Sequence, residues 1–291
     1  MTGYALDTAW VRRSFDRACK TYDAAAVLQG EVRDRLLERL DLVAVSPRVV
    51  LDAGAGTGHA SRELKRRYPA ARVLALDSAL GMLRAAARQK TWFRPFSRIC
   101  ADAAHLPLAD ASVDLIFSNF LLPWVDPDAV FSEFRRVLGP RGLLNFTSLG
   151  PDTLRELRSA WAEVDSFIRV HAFTDMHDIG DALVRAGFAA PVLDVERYTL
   201  AYTDVPHLAA DLRAVGERNA ATGRLKGLTG PRKFAAMQRA YEIHRRDGRL
   251  PATYEVVFAH AWTPAAVRRA GGEDRIALSD VQRQLQTRRR S

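Results

Sequence analysis

The chain is 291 residues long, 48% apolar and 26% charged, with a formal net charge of +9. That length suits one large domain, with or without an insertion, around a sizeable core. No run approaches ~18 uninterrupted apolar residues and the first twenty lack a secretory core, so neither a membrane partner nor export is expected.

In chain order, residues 1–46 read as a helical lid. "DTAWVRRSFDRACKTYDAAA" sets Trp10, Phe15 and Ala18 among charges, and "AAVLQGEVRDRLLERL" spaces Val27, Leu28, Val32, Leu36, Leu37 and Leu40 as a helix does. Pro47 ends that region. Residues 47–263 then alternate short apolar runs with amphipathic segments. Strands are expected at "RVVLDAG", "RVLALD", "FSRICAD", "SVDLIFSN" and "GLLNFTSL", and helices at "HASRELKRRY", "ALGMLRAAARQ" and "PDAVFSEFRRVL". This alternation predicts an α/β fold, a mainly parallel sheet with helices on both faces.

Past residue 150 the pattern changes. "PDTLRELRSAWAEV" predicts a helix opening at Pro151 and Asp152, and "DMHDIGDALVRAGF" one closed by Gly187. "PVLDVERYTLAYT" and "ATYEVVFAHAWT" alternate over long stretches, as antiparallel strands at a sheet edge do. Between them, residues 204–249 read as a basic helical insertion. From 264 to 291, seven arginines face three acids, and this segment is expected to be a flexible basic tail. It lacks interleaved aromatics, so nucleic acid is not an expected partner. The remaining positive excess favours an acidic one.

The loop "DAGAGTG", Asp52 to Gly58, ends the first strand. Glycines there let a ligand approach the backbone at the carboxyl ends of the strands. The spacing is G-x-G-x-G rather than the G-x-G-x-x-G of a dinucleotide site, and His59-Ala60 follow where a phosphate loop needs Lys-Ser/Thr. Asp52, Asp77 and Asp102 close the first three strands. Carboxylates in those places suit an amino group, a ribose diol and an adenine amine, and none of them suits a phosphate. That combination describes S-adenosylmethionine. His171, Asp175, His177 and Asp178 lie close in sequence but lack regular ligand spacing, and Thr174 and Asp175 read as helix caps, so no metal is expected. Cys19 and Cys100 stand far apart and indicate a reducing, cytoplasmic compartment.

The acid-x-G-x-G-x-G loop resembles that of the class I S-adenosylmethionine-dependent methyltransferases, whose fold is a Rossmann-like seven-stranded sheet with an antiparallel edge strand. The resemblance implies that Asp52, Gly54 and Gly56 line the methionine end of the site, with Gly58 completing the cofactor-binding motif. It further implies Asp77 at the ribose, Asp102 and Ala103 at the adenine, and Asn119 beneath the transferable methyl. Ala55 stands where many members have Cys or Ser. A more specific resemblance covers about residues 13 to 263. "FDRACKTYDAAAVLQGEVRDRLLERL", "SLGPDTLRELRSAW", "FTDMHDIGDALVRAGF" and "LPATYEVVFAHAWT" are similar to the malonyl-acyl-carrier-protein O-methyltransferases of biotin biosynthesis. These esterify the free carboxylate of a malonyl thioester, and the ester primes pimeloyl formation.

Under that resemblance the acceptor is malonyl-acyl carrier protein or malonyl-CoA. A malonyl carboxylate is already ionised at neutral pH and needs no general base. An arginine would hold it bidentately, with Arg158 the first candidate, Arg155 the second, Tyr22 a hydrogen-bond donor and Trp124 a channel wall. The acidic carrier would dock on Arg12, Arg13, Arg17 and Lys20, or on Lys226, Arg232 and Lys233. Two other readings stand beside this one. The first is the same fold acting on another small carboxylate, phenol or quinone. The second is a respiratory-complex assembly factor that modifies or binds a protein. The sequence does not fix the oligomeric state.

Overall fold

The computed structural model describes residues 6–89 and 95–265. Most of the expected basic tail, and the first five residues of the expected lid, lie outside the described residues. The elements run α1 (Thr8–Ala18), α2 (Tyr22–Ala25), α3 (Val27–Arg39), β1 (Val49–Ala53), α4 (His59–Arg67), β2 (Arg72–Asp77), α5 (Leu80–Ala86), β3 (Ser97–Cys100) and β4 (Val113–Ser118). They continue with α6 (Pro127–Val137), β5 (Leu138–Leu149), α7 (Arg155–Ala162), α8 (Met176–Arg185), β6 (Ala189–Tyr202), α9 (Val205–Ala214), α10 (Pro231–Tyr241) and β7 (Leu250–Trp262).

One seven-stranded sheet runs β3-β2-β1-β4-β5-β7-β6. Strands β1 to β5 are parallel, and β7 runs antiparallel to both β5 and β6. The antiparallel edge therefore has the reversed strand one place in, with β6 covering it. Strand order reverses at β1, between β2 and β4, and this switch point opens a crevice at the carboxyl ends of both neighbours.

Side chains alternate across the sheet, as the two-residue strand period requires. Val50, Val73, Leu115, Phe117, Leu143, Val256 and Phe258 pack on one face with Val32, Leu36 and Leu64 from α3 and α4. Leu51, Leu74, Ile116, Leu144, Phe146 and Val257 pack on the other with Val130, Phe134, Ile179 and Leu183 from α6 and α8. Sequence caps fix the helix ends. Asp126 accepts from Asp128 N at 3.1 Å with Pro127 opening α6, and Asp175 accepts from His177 N at 2.8 Å to open α8. Gly187 follows α8 at φ 83°, the left-handed conformation expected of it.

One expected boundary moves. The helix anticipated from Pro151 begins only at Arg155. The preceding turn is tied to β7 instead: Gly150 N donates to Glu255 O at 2.8 Å, Asp152 N to Glu255 Oε2 at 2.8 Å and Leu154 N to Thr253 O at 2.7 Å. Those tertiary bonds take the donors a first helical turn would otherwise leave to solvent.

The N-terminal helices and the insertion pack on each other over the switch point. Val11, Trp124 and Ala220 form a small cluster with Trp10 and Phe15, joining α1, the loop after β4 and the insertion. Asp7 N donates to Ala220 O at 2.9 Å, Thr21 Oγ1 to Ala214 O at 2.8 Å and Arg224 to Asp7 at 3.0 Å. None of the described helices is long and apolar enough to cross a membrane.

Candidate functional site

The turn after β1 is held by its own backbone and by β2. Gly54, Gly56 and Gly58 take φ of 75°, 52° and 84°, values that a side chain would strain. Gly54 N and Ala55 N both donate to Leu76 O at 2.9 Å. Asp77, ending β2, accepts from Gly56 N at 2.9 Å and Ala79 N at 2.8 Å. The carboxylate therefore fixes the loop while still lining the crevice. Asp102 accepts from Ala104 N at 2.9 Å beyond β3.

At the end of β4, Asn119 is locked from both sides. Its Nδ2 donates to Gln29 O at 3.0 Å and its Oδ1 accepts from Thr147 Oγ1 at 2.8 Å. Thr147 also accepts from Phe120 N at 3.1 Å, and Phe120 carries a φ of 56°. A bulky residue in that conformation is strained, and such strain gathers at functional sites.

These ends enclose a cavity of about 390 Å³. Of the expected cofactor residues, Gly54, Gly56, Asp77, Asp102, Ala103 and Asn119 line it, together with Tyr22 and Trp124. Asp52 and Gly58 do not. Asp52 is 1% exposed and accepts from Ser61 Oγ at 2.5 Å, tying β1 to α4. Gly58 packs against α5, where a Cβ would come within 2.8 Å of Ala86 Cβ.

The cavity also admits residues that motif reading did not assign to it: Arg12 and Phe15 of α1, Gln29, and Glu217 after α9. Arg12 stood in the sequence only as one surface charge among several. Glu217 carried no local signal, because it is joined to Gln29 across 188 positions.

The site is electronegative. Burial pushes Asp52 up to about 7, Asp77 up to about 6 and Glu217 up to about 7. Burial, then the carboxylates of Glu217, Asp77 and Asp23, push the Tyr22 phenol well above its ordinary range, so it is a hydrogen-bond donor at neutral pH. A ligand with cationic groups and hydroxyl donors suits these carboxylates. A phosphate does not, and the donor set fits S-adenosylmethionine.

The two arginines expected to clamp the carboxylate stand outside this cavity. Arg158 lines a neighbouring one of about 490 Å³ with Trp161 and Phe173, donating to Pro151 O at 2.9 Å and Thr153 O at 3.0 Å. Burial lowers its pKa. Trp124 of the first cavity meets His171 at 5.0 Å between ring centres, and His171 meets Phe173 of the second at 4.8 Å. His171 is 4% exposed, and burial holds its imidazole down to about 4, neutral at physiological pH. Arg155 lines a third cavity and faces Asp152 and Glu156 at 3.8 and 3.4 Å. His177 is 84% exposed and, among the described residues, bonds only Asp175, so it does not converge with His171.

Comparison with known proteins accords with this geometry. A family described as "Methyltransferase domain" matches residues 51–146, from the glycine loop through β5. The malonyl-[acyl-carrier protein] O-methyltransferase of Methylovorus sp. (strain MP688) is 54% identical over 95% of this chain and 93% of its own length. The protein of the same name from Laribacter hongkongensis is 53% identical over 90% and 92%. Among solved structures, a putative methyltransferase from Bacillus halodurans superposes with a TM-score of 0.58 at 17% identity, covering 79% of this chain and 99% of that one. It shares the fold.

Proposed function

Because the chain belongs to the malonyl-[acyl-carrier protein] O-methyltransferase family, we propose that it methylates the free carboxylate of malonyl-acyl carrier protein in biotin biosynthesis. S-adenosylmethionine is the methyl donor; when bound, it would supply an electrophilic methyl carbon to the carboxylate oxygen, the carbon–sulfur bond breaking with its electron pair left on a neutral thioether. No proton moves, and the site accordingly needs no base. What the chain contributes is alignment and exclusion of water. Asn119 and the strained Phe120 backbone stand at the carboxyl end of β4, and α1, α2 and the residue 214–224 segment cover them. The observation that carries the reading is one cavity holding the glycine loop, the two ligand acids Asp77 and Asp102, and the Tyr22 donor.

Tyr22 donates to the acceptor carboxylate. Arg158, whose charge acts on His171, holds the malonyl arm from the adjoining cavity, and Arg12 lines the cofactor cavity itself. Arg12, Arg13 and Arg17 of α1 are exposed, as is Lys20 in the turn that follows it. This cluster adjoins the cavity and presents the charge an acidic carrier needs, so the carrier docks there. The second basic cluster is partly neutralised, since Lys233 pairs with Asp165 at 3.0 Å. A cytoplasmic setting suits the free thiols of Cys19 and Cys100.

The test is a transfer assay with labelled methyl donor on malonyl- and acetyl-carrier protein and on malonyl-CoA. Methylation of the malonyl thioesters alone, fastest on the carrier, supports the reading. Equal labelling of the acetyl form would refute it, because acetyl offers no carboxylate. In the same assay, Arg158→Ala is expected to raise KM for the malonyl carrier roughly tenfold or more, the scale of one charge-assisted hydrogen bond. An unchanged KM there with a raised one in Arg12→Ala would move the clamp to Arg12.

A further inference from the structure

Glu217 faces the cofactor cavity but occupies none of the loop, ribose or adenine positions. It follows α9 and Gly216, whose φ of 81° turns the chain inward. A Cβ on Gly216 would lie 3.0 Å from Phe15 Cδ1 and 3.1 Å from Ala18 Cβ, so this turn is fitted closely to α1. Gln29 Nε2 then donates to Glu217 Oε1 at 2.6 Å, while the carbonyl of Gln29 accepts from Asn119. The carboxylate is thus aimed by a chain of bonds that runs to the end of β4.

Among the described residues no cation pairs with it. Burial raises its pKa and only the Gln29 hydrogen bond opposes that rise. A carboxylate held partly out of water without a countercharge favours a ligand that brings one. The acid of the glycine motif does not meet that need, since Asp52 is buried on Ser61 and absent from the cavity wall. The cofactor carries an ammonium at its methionine end, the end the glycine loop serves.

We propose that Glu217 receives the α-ammonium of S-adenosylmethionine, so that the lid and the sheet together recognise the methionine end. The inference rests on the cofactor and not on the identity of the acceptor. Binding then bridges Glu217 in the insertion to Asp77 on β2. Asp23 of α2 already links the lid to the loop by accepting from Thr57 Oγ1 at 2.5 Å.

The experiment compares three ligands by calorimetry on wild type, Glu217→Gln and Glu217→Asp. S-adenosylhomocysteine has the ammonium without the sulfonium, S-adenosylmethionine has both, and 5′-methylthioadenosine has neither. Glu217→Gln is expected to weaken both amino-acid ligands on the order of tenfold to a hundredfold, the range of a hydrogen bond to a charged group. Methylthioadenosine should bind within about twofold of wild type, which also shows the variant folded. Glu217→Asp, which keeps the charge, should lose less. Equal losses for all three ligands would make Glu217 a structural latch and overturn the proposal. A loss confined to S-adenosylmethionine would assign it to the sulfonium and overturn it too. Wild type binding no ligand would remove the cofactor reading itself.

Discussion

Tyr22 and Gly58 show two different ways a residue serves this site. The phenol of Tyr22 is held neutral among carboxylates, so its use is to donate. Tyr22→Phe is expected to lower kcat roughly tenfold while leaving the dissociation constant of S-adenosylhomocysteine within about twofold. A loss of cofactor affinity instead would place the hydroxyl on the cofactor. Gly58 does not line the cavity, yet a side chain there would collide with Ala86 and strain a φ of 84°. Gly58→Ala should destabilise the fold by about 1–3 kcal/mol in urea unfolding. At this scale the glycines and the strand-end acids were legible, because their spacing is local. Glu217 was not, since what makes it functional is Gln29, 188 positions away. For Asp52, expected at the methionine end, the structure shows a buried carboxylate that accepts from Ser61 and does not line the cavity.

Among the elements, the strands and their helices were legible because buried parallel strands are short apolar runs and caps carry their own residue types. Asp175 opens α8 as its sequence suggests. Asp175→Ala should cost about 1 kcal/mol, seen as a lower Tm, with methyl transfer unchanged, since α8 lies on the sheet face away from α3 and α4. The start of α7 was not legible. Its donors are taken by Glu255 from β7, 103 positions on, and no local pattern announces that. The N-terminal helices are held by such distant contacts too. Removing the bonds of Asp23 to Thr57 and His59 with Asp23→Ala should weaken binding of S-adenosylhomocysteine severalfold.

For the whole molecule, the raised carboxylates have a consequence for stability. Folded Asp77 near 6, and Asp52 and Glu217 near 7, retain protons that the unfolded chain releases near 4. Between those limits the native state binds more protons, so stability is fullest below about pH 4 and falls as pH rises to about 7. Cofactor groups that favour the ionised carboxylates oppose this loss. The rise in Tm on adding saturating S-adenosylhomocysteine should accordingly be larger at pH 8 than at pH 5. An equal or smaller rise at pH 8 would mean that Asp77 and Glu217, the two that line the cavity, do not face the ligand.

The central claim is that a methyl group ends on the malonyl carboxylate. It is tested most directly by intact and fragment mass spectrometry of malonyl-acyl carrier protein incubated with the protein and S-adenosylmethionine. The expected result is a gain of one methyl group on the carrier, located on the malonyl part of the released pantetheine arm. An unmodified carrier, with S-adenosylhomocysteine still bound tightly by the protein, would leave the cofactor site standing and contradict the acceptor.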